Sequence, residues 1–175
     1  IAARAQSYDQ PAEGALSPRN ANYEIDVRLD HAARALAGRE TIRWRNISTH
    51  TATELQFHLY WNAWRDAEST WMRERRMGGN RRPVRPDAWS TSDVKAIRVA
   101  GIDLTSEMRF IAPDDGNPAD RTVMSVPLPR AVGPNETTEI EIEWTSKIPR
   151  PFARTGYIDD YYFIVQWFPK IGVLE

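Results

Sequence analysis

NYEIDVRLDHAARALAGRETIRWRNI, residues 22–47, is the stretch that decides what kind of chain this is. Tyr23, Ile25, Val27 and Leu29 fall at every second position, with Glu24, Asp26 and Arg28 between them. Strand side chains alternate between two faces, so the run predicts a half-buried strand. DHAAR turns the chain, and residues 36–47 alternate again, with Ile42 and Trp44 inward and Arg39, Thr41, Arg43 and Arg45 outward. Two alternating runs joined by a short polar link make an antiparallel hairpin.

Working outward, residues 54–61 predict a third strand, with Leu55, Phe57, Leu59 and Trp61 opposed to Gln56, His58 and Tyr60. The rhythm then breaks from 62 to 92, a charged insertion holding Trp64, Trp71 and Trp89 around MGGNRRPVRP. Within it, 69–77 predicts a short helix with Ser69 or Thr70 as its N-cap; the rest reads as a long loop. Strands resume at 94–99 and 102–109, turning at Ala100-Gly101, and at 122–128 after the polar tip APDDGNPAD. AVGPNE (131–136) is a turn, and TTEIEIEW (137–144) sets Ile140, Ile142 and Trp144 against Glu139, Glu141 and Glu143. Residues 161–168 are apolar on both faces and predict a final, central, covered strand. Eight or nine strands with at most one short helix predict an all-β fold: an antiparallel sandwich or a curved, saddle-like sheet. Residues 1–21 read as a polar leader and 22–175 as one β domain.

Composition removes whole classes of function. A net charge of −1 gives no global footprint for nucleic acid or an anionic membrane. The absence of cysteine excludes disulfides, thiolate metal sites and cysteine nucleophiles. No apolar run reaches the ~18 residues that a spanning helix requires. The arginines outnumber the lysines twenty to three but are spread along the chain. The start, rich in Ala, Gln, Ser and Pro, reads either as a mature end left by signal cleavage, which implies export, or as an arbitrary boundary.

Few residues of the sequence carry a recognisable catalytic or metal-binding pattern. His31, His50 and His58 have no four-residue spacing and no His-Glu-x-x-His, so no helical zinc pair exists. His58 lies on the polar face of its strand. No Gly-x-Ser-x-Gly and no phosphate-cradling loop occurs. DDGNPAD (114–120) carries oxygen ligands at short spacing but lacks the EF-hand pattern, and reads as a hydrated hairpin tip. Arg73, Arg75, Arg76, Arg81, Arg82 and Arg85 beside Trp71 and Trp89 could stack single-stranded nucleic acid; the balanced charge favours a solvated loop or a contact with another domain. Asn46-Ile47-Ser48 and Asn135-Glu136-Thr137 are glycosylation sequons, relevant only in a glycosylating source. Asp159-Asp160 precedes the final apolar run and Gln166 lies within it. Paired carboxylates can bind a cation or ammonium group, though adjacent acids at a strand mouth are also plain turn chemistry.

Taken in order, the segments resemble a family. Tyr23, Ile25, Val27, Leu29, then Leu36, Gly38, Ile42, Asn46 and Ser48 resemble the opening hairpin of the gluzincin zinc aminopeptidases, the aminopeptidase N and leukotriene-hydrolase group. LQFHLYWNAW, WTSKIPRPFAR and VQWFPKIGV look like its continuation in large bacterial members, with Phe168-Pro169 in the place of the family's Phe/Leu-Pro. The resemblance covers residues 22–175. It implies an N-terminal β-saddle domain that caps the active-site cleft and helps hold the substrate's N-terminus, with the zinc, its ligands and the catalytic residues in a following helical domain. No cofactor is then expected in this chain. Its partners would be that catalytic domain or chain and a peptide substrate, with Asp160 and Gln166 as the candidate ammonium-binding residues, since an ammonium offers only donors. A saddle ending at GVLE would stop before completion, and an exposed final strand would favour self-association. The alternatives are a free-standing exported sandwich that binds peptide or glycan through its Trp-rich insertion, and the non-catalytic chain of a split peptidase.

Overall fold

The computed structural model describes residues 19–79, 83–151 and 153–172. Most of the leader, Arg81 and Arg82 of the Arg-rich loop, and the last three residues lie outside the described residues. Eleven strands follow in chain order: β1 (Ala21–Asp30), β2 (Ala35–Arg45), β3 (Ala52–His58), β4 (Thr91–Val99), β5 (Ile102–Asp103), β6 (Arg109–Ile111), β7 (Val123–Val132), β8 (Thr137–Lys147), β9 (Gly156–Ile158), β10 (Tyr161–Phe163) and β11 (Lys170–Ile171). Between β3 and β4 lies the α-helix α1 (Thr70–Met77), and 3-10 turns occupy Tyr60–Trp64, Pro86–Ala88 and Thr105–Glu107. The fold is all-β and sandwich-like, and among the described residues all strand pairs are antiparallel and there is one α-helix.

The first sheet has the order β1-β2-β8-β4-β5, the second β11-β3-β7-β6, and β9 with β10 forms a separate two-stranded ribbon. Register explains the burial. Tyr23, Ile42 and Ile140 share one row of the first sheet, Ile25, Glu40 and Ile142 the next, Val27, Gly38 and Trp144 the third. A bulge between Val94 and Ala96 keeps Ile97 opposite Ile142 and Val99 opposite Ile140. This face meets Leu55, Phe57, Met124 and Val126 of the second sheet in one continuous core. The alternation in β2 and β8 is therefore the packing pattern itself. In β1 it holds only halfway: Tyr23 and Ile25 pack on the core, whereas Val27 and Leu29 are 47% and 42% exposed.

Residues 102–109, expected as one strand, are two short strands around the Thr105–Glu107 turn, because Asp103 accepts from the Thr105 N–H and folds the chain. The short helix forms as expected, with Ser69 as its N-cap: its hydroxyl accepts from Met72 N and donates to Ala63 O at 2.6 Å. The tip at 114–120 is not simply hydrated, for Asn117 and Asp120 are buried. Asp120 Oδ2 accepts from Thr70 N at 2.9 Å and Asn117 Nδ2 donates to Glu68 O at 2.8 Å, so the tip docks on the helix start. Burial pushes the Asp120 carboxyl up, but hydrogen bonds from Thr122 and Thr70 outweigh it and hold the group below the usual range.

The expected final strand is the main correction. Residues 161–168 do not form one covered central strand. They split into β10, three residues at the edge of a ribbon, and an irregular crossover from Ile164 to Pro169 that leads into β11 beside β3. Tyr161 and Phe163 are 68% and 53% exposed. The apolar letters on both faces reflect two different burials: Ile164, Trp167 and Phe168 pack on the core from a crossover, and the β10 side chains straddle a ribbon.

Candidate functional site

The β9–β10 ribbon carries Asp160 at its turn, and the crossover behind it carries Gln166. Ile158 pairs with Tyr161 across a two-residue turn, Asp159-Asp160, and Asp159 takes a left-handed conformation, φ 50°. Such a turn matches strand twist, and Asp tolerates that conformation better than most residues. One face of the ribbon is anchored. The Arg34 guanidinium lies 4.5 Å from the Tyr157 ring centroid and 5.5 Å from that of Tyr162. Its Nη1 donates to Asp159 O at 2.9 Å and to the Tyr162 hydroxyl. Tyr162 Oη also meets His31 Nδ1 at 2.9 Å, so the β1–β2 turn holds the ribbon in place.

The opposite face is apolar and open. Ile158, Tyr161 and Phe163 project from it and, with Pro151, Arg154 and Thr155, line a cavity of about 300 Å³. That volume is at the lower end of small-ligand sites.

The two candidates sit in separate contacts. Asp160 is at the ribbon turn, 89% exposed, with Oδ1 3.2 Å from His31 Nε2. Gln166 is half-buried in the crossover at φ 54°, and its Oε1 accepts from Arg154 Nη2 at 2.9 Å. No hydrogen bond joins Asp160 to Gln166 among the described residues. An ammonium approaching Gln166 Oε1 would meet a guanidinium already there, so its binding requires Arg154 to give way.

The crossover itself is held from both sheets. Val165 O accepts from Trp61 Nε1 at 2.9 Å, and Trp167 O from Ser146 Oγ at 3.3 Å. The Trp167 ring lies 5.5 Å from Trp144 and 5.1 Å from Phe168; Phe168 lies 5.5 Å from Tyr23. Tyr23 Oη accepts from Ile171 N, and Gly172 N donates to Gln56 O. Burial pushes the Tyr23 phenol up to about 12, with the Ile171 N–H opposing and the Glu40 charge adding to the rise.

Sequence reasoning missed Glu40. It is fully buried, and neither carboxylate oxygen has a hydrogen-bond partner among the described residues. Burial alone pushes its carboxyl from the usual range up to about 8. The signal was in the sequence: in 36–45 the inward positions Leu36, Gly38, Ile42 and Trp44 put Glu40 in the same register. The other histidines add no site. His58 is half-buried, stacked 5.2 Å from Tyr60, and burial together with Lys170 holds it below the usual imidazole range. Among the described residues no group of three or more His, Asp or Glu is placed to hold a metal ion, and no helix is long and apolar enough to cross a membrane.

No protein-family model and no curated protein matches the chain. Among solved structures, the CBM3a-L domain with flanking linkers from scaffoldin CipA of the Clostridium thermocellum cellulosome is similar at 10% identity and a TM-score of 0.31, covering 73% of this chain and 67% of that one. A likeness at this level carries no functional argument.

Proposed function

We propose that this chain is the N-terminal, non-catalytic β domain of a zinc-dependent aminopeptidase-like metallopeptidase, capping the active-site cleft and helping to hold the substrate's N-terminus. The observation that carries the reading is the ordered set of segments that ends in Gln166-Trp167-Phe168-Pro169-Lys170. Its supporting geometry is local. That segment is an irregular crossover clamped by aromatic packing, which fixes the backbone around Gln166 while leaving its side chain half-exposed. In this reading the zinc and the reacting groups belong to the rest of the protein. This chain contributes a wall of the cleft, an amide oxygen at Gln166 and an exposed carboxylate at Asp160, and the apolar face of Ile158, Tyr161 and Phe163 faces the catalytic part or the substrate.

Expression of the complete gene product tests it, with zinc content and release of N-terminal residues from unblocked peptides as readouts. About one bound zinc per chain with aminopeptidase activity, in that product or jointly with an adjacent gene's product, is the expected result. A product that binds no zinc and releases no N-terminal residue in either setting overturns the proposal.

A further inference from the structure

We propose that Glu40 is a protonation-controlled latch for the crossover 164–171: neutral, it lets Trp167 and Phe168 seat over the first sheet, and ionised, it drives that segment open. The inference rests on position and does not depend on the peptidase reading.

The register places the group. Glu40 stands between Ile25 and Ile142; Tyr23 lies one row away on β1, and Trp144 one row away in the opposite direction on β8. Tyr23 and Trp144 are therefore opposite corners of a square centred on Glu40. The crossover sets one ring on each corner, Phe168 against Tyr23 and Trp167 against Trp144, and those two rings touch each other. The aromatic pair thus spans the diagonal that passes over the carboxylate. Diagonal neighbours on one sheet face are within reach of long side chains.

Around Glu40 neither carboxylate oxygen finds a hydrogen-bond partner among the described residues. From β1 come Ile25 and the Tyr23 phenol, and Tyr60 of the 3-10 turn bears on that same phenol. From β8 come Ile142 and the indole of Trp144, whose Nε1 is also buried without a partner among the described residues. The crossover supplies Trp167 and Phe168, which pack on the Trp144 and Tyr23 rings at the two corners. Among the described residues no cation acts on the group, and burial is the whole cause of its raised pKa of about 8. A buried charge with no partner is costly, so the closed state keeps the carboxyl protonated.

Opening exposes the carboxyl, which then loses its proton to solvent with an ordinary glutamate pKa. The closed state therefore binds the proton across a window from the ordinary glutamate range to about 8. Within that window each pH unit favours opening about tenfold, and the gain levels off above it. The crossover is the element that yields, because it is held by short contacts and a two-residue strand, whereas β2 and β8 pair over their whole length.

Amide hydrogen exchange of the intact chain tests this from about pH 5 to about pH 9, corrected for the intrinsic pH dependence of exchange. The reporters are the amides of Ile171, at the end of the crossover segment, and Gly172, directly after it, with Ile142 in the sheet centre, in the unmodified protein, Glu40→Gln and Glu40→Leu. The expected result is an opening constant for Ile171 and Gly172 that rises about tenfold per pH unit up to about pH 8. It should be nearly flat in both variants, while Ile142 exchanges more slowly throughout. A flat profile in the unmodified protein overturns the latch, as does the same rise in Glu40→Gln. Exchange of all three amides at one rate also overturns it, since whole-domain unfolding would then be the event that Glu40 reports.

Discussion

At Gly38 a Cβ would lie 2.3 Å from Cζ2 of Trp144, because the indole is laid flat across that position from the neighbouring strand. The requirement for glycine here is close approach and not backbone conformation. Gly38→Ala must displace a fully buried ring, and a loss of roughly 1–3 kcal/mol is expected, read from urea unfolding midpoints. One row along, Glu40 contributes with the opposite logic. Its folded-state pKa of about 8 lies above that of an unfolded glutamate, so the folded protein holds the extra proton between those values. Stability therefore falls as pH rises through that window and flattens above about 8. Glu40→Gln keeps the shape without the charge. It should match the unmodified protein near pH ~5 and exceed it by a few kcal/mol near pH ~9, an outcome that thermal unfolding at both pH values checks.

Elements owe their boundaries to single polar side chains. Helix α1 begins where Ser69 caps it, and Asp120, from a loop fifty residues downstream, adds a carboxylate to the Thr70 N–H. Asp120→Ala leaves that amide without its partner and removes a charge from the helix start; a loss of about 1–2 kcal/mol is expected in denaturant unfolding. The Asp120 carboxyl is held below its ordinary range, so its contribution is present above that range and fades as pH falls through the lowered value. The β4–β5 turn carries an avoidable strain. Ala100 and Gly101 both have positive φ, 50° and 78°, the pattern of a two-residue hairpin that favours Asn-Gly. Asn adopts that backbone region at lower cost than Ala, so Ala100→Asn should stabilise by roughly 0.5–1 kcal/mol, visible as a raised Tm.

For the whole molecule the question is how one end of a sandwich would serve a cleft. The peptidase reading makes Gln166 a contact for the substrate's ammonium and Asp160 a weaker one, since Asp160 is exposed to solvent and already faces His31. In the complete protein Gln166→Ala should raise KM for unblocked peptides by about tenfold or more, the loss of a hydrogen bond to a charged group. Asp160→Ala should raise it less than about fivefold, as screened surface charges do. Arg154→Ala frees Gln166 Oε1 from its guanidinium and should lower KM. Steady-state kinetics on the three variants separates these outcomes. A KM unchanged by Gln166→Ala would remove that residue from substrate binding.

The all-β class, the opening hairpin, the capped helix and the turn at Ala100-Gly101 were legible in the sequence because each depends on neighbours a few residues away: alternation, a capping hydroxyl, a turn dipeptide. Even Glu40 was inward by parity alone. The fate of residues 161–168 was not legible, because an apolar run reads alike whether it is a covered strand or a ribbon followed by a crossover. Which it becomes depends on partners far along the chain: Arg34 beneath Tyr157 and Tyr162, Trp144 beneath Trp167, Tyr23 beneath Phe168. The candidate site shares that dependence. Asp160 and Gln166 stand close in sequence, but their partners His31 and Arg154 come from opposite ends of the domain's connectivity. Sequence determined the segments whose periodicity is local, such as β2, β8 and α1, since that periodicity sets which face is buried. Tertiary structure alone decided which polar groups found partners, because the pairing and orphaning of buried charges is settled only when distant strands meet.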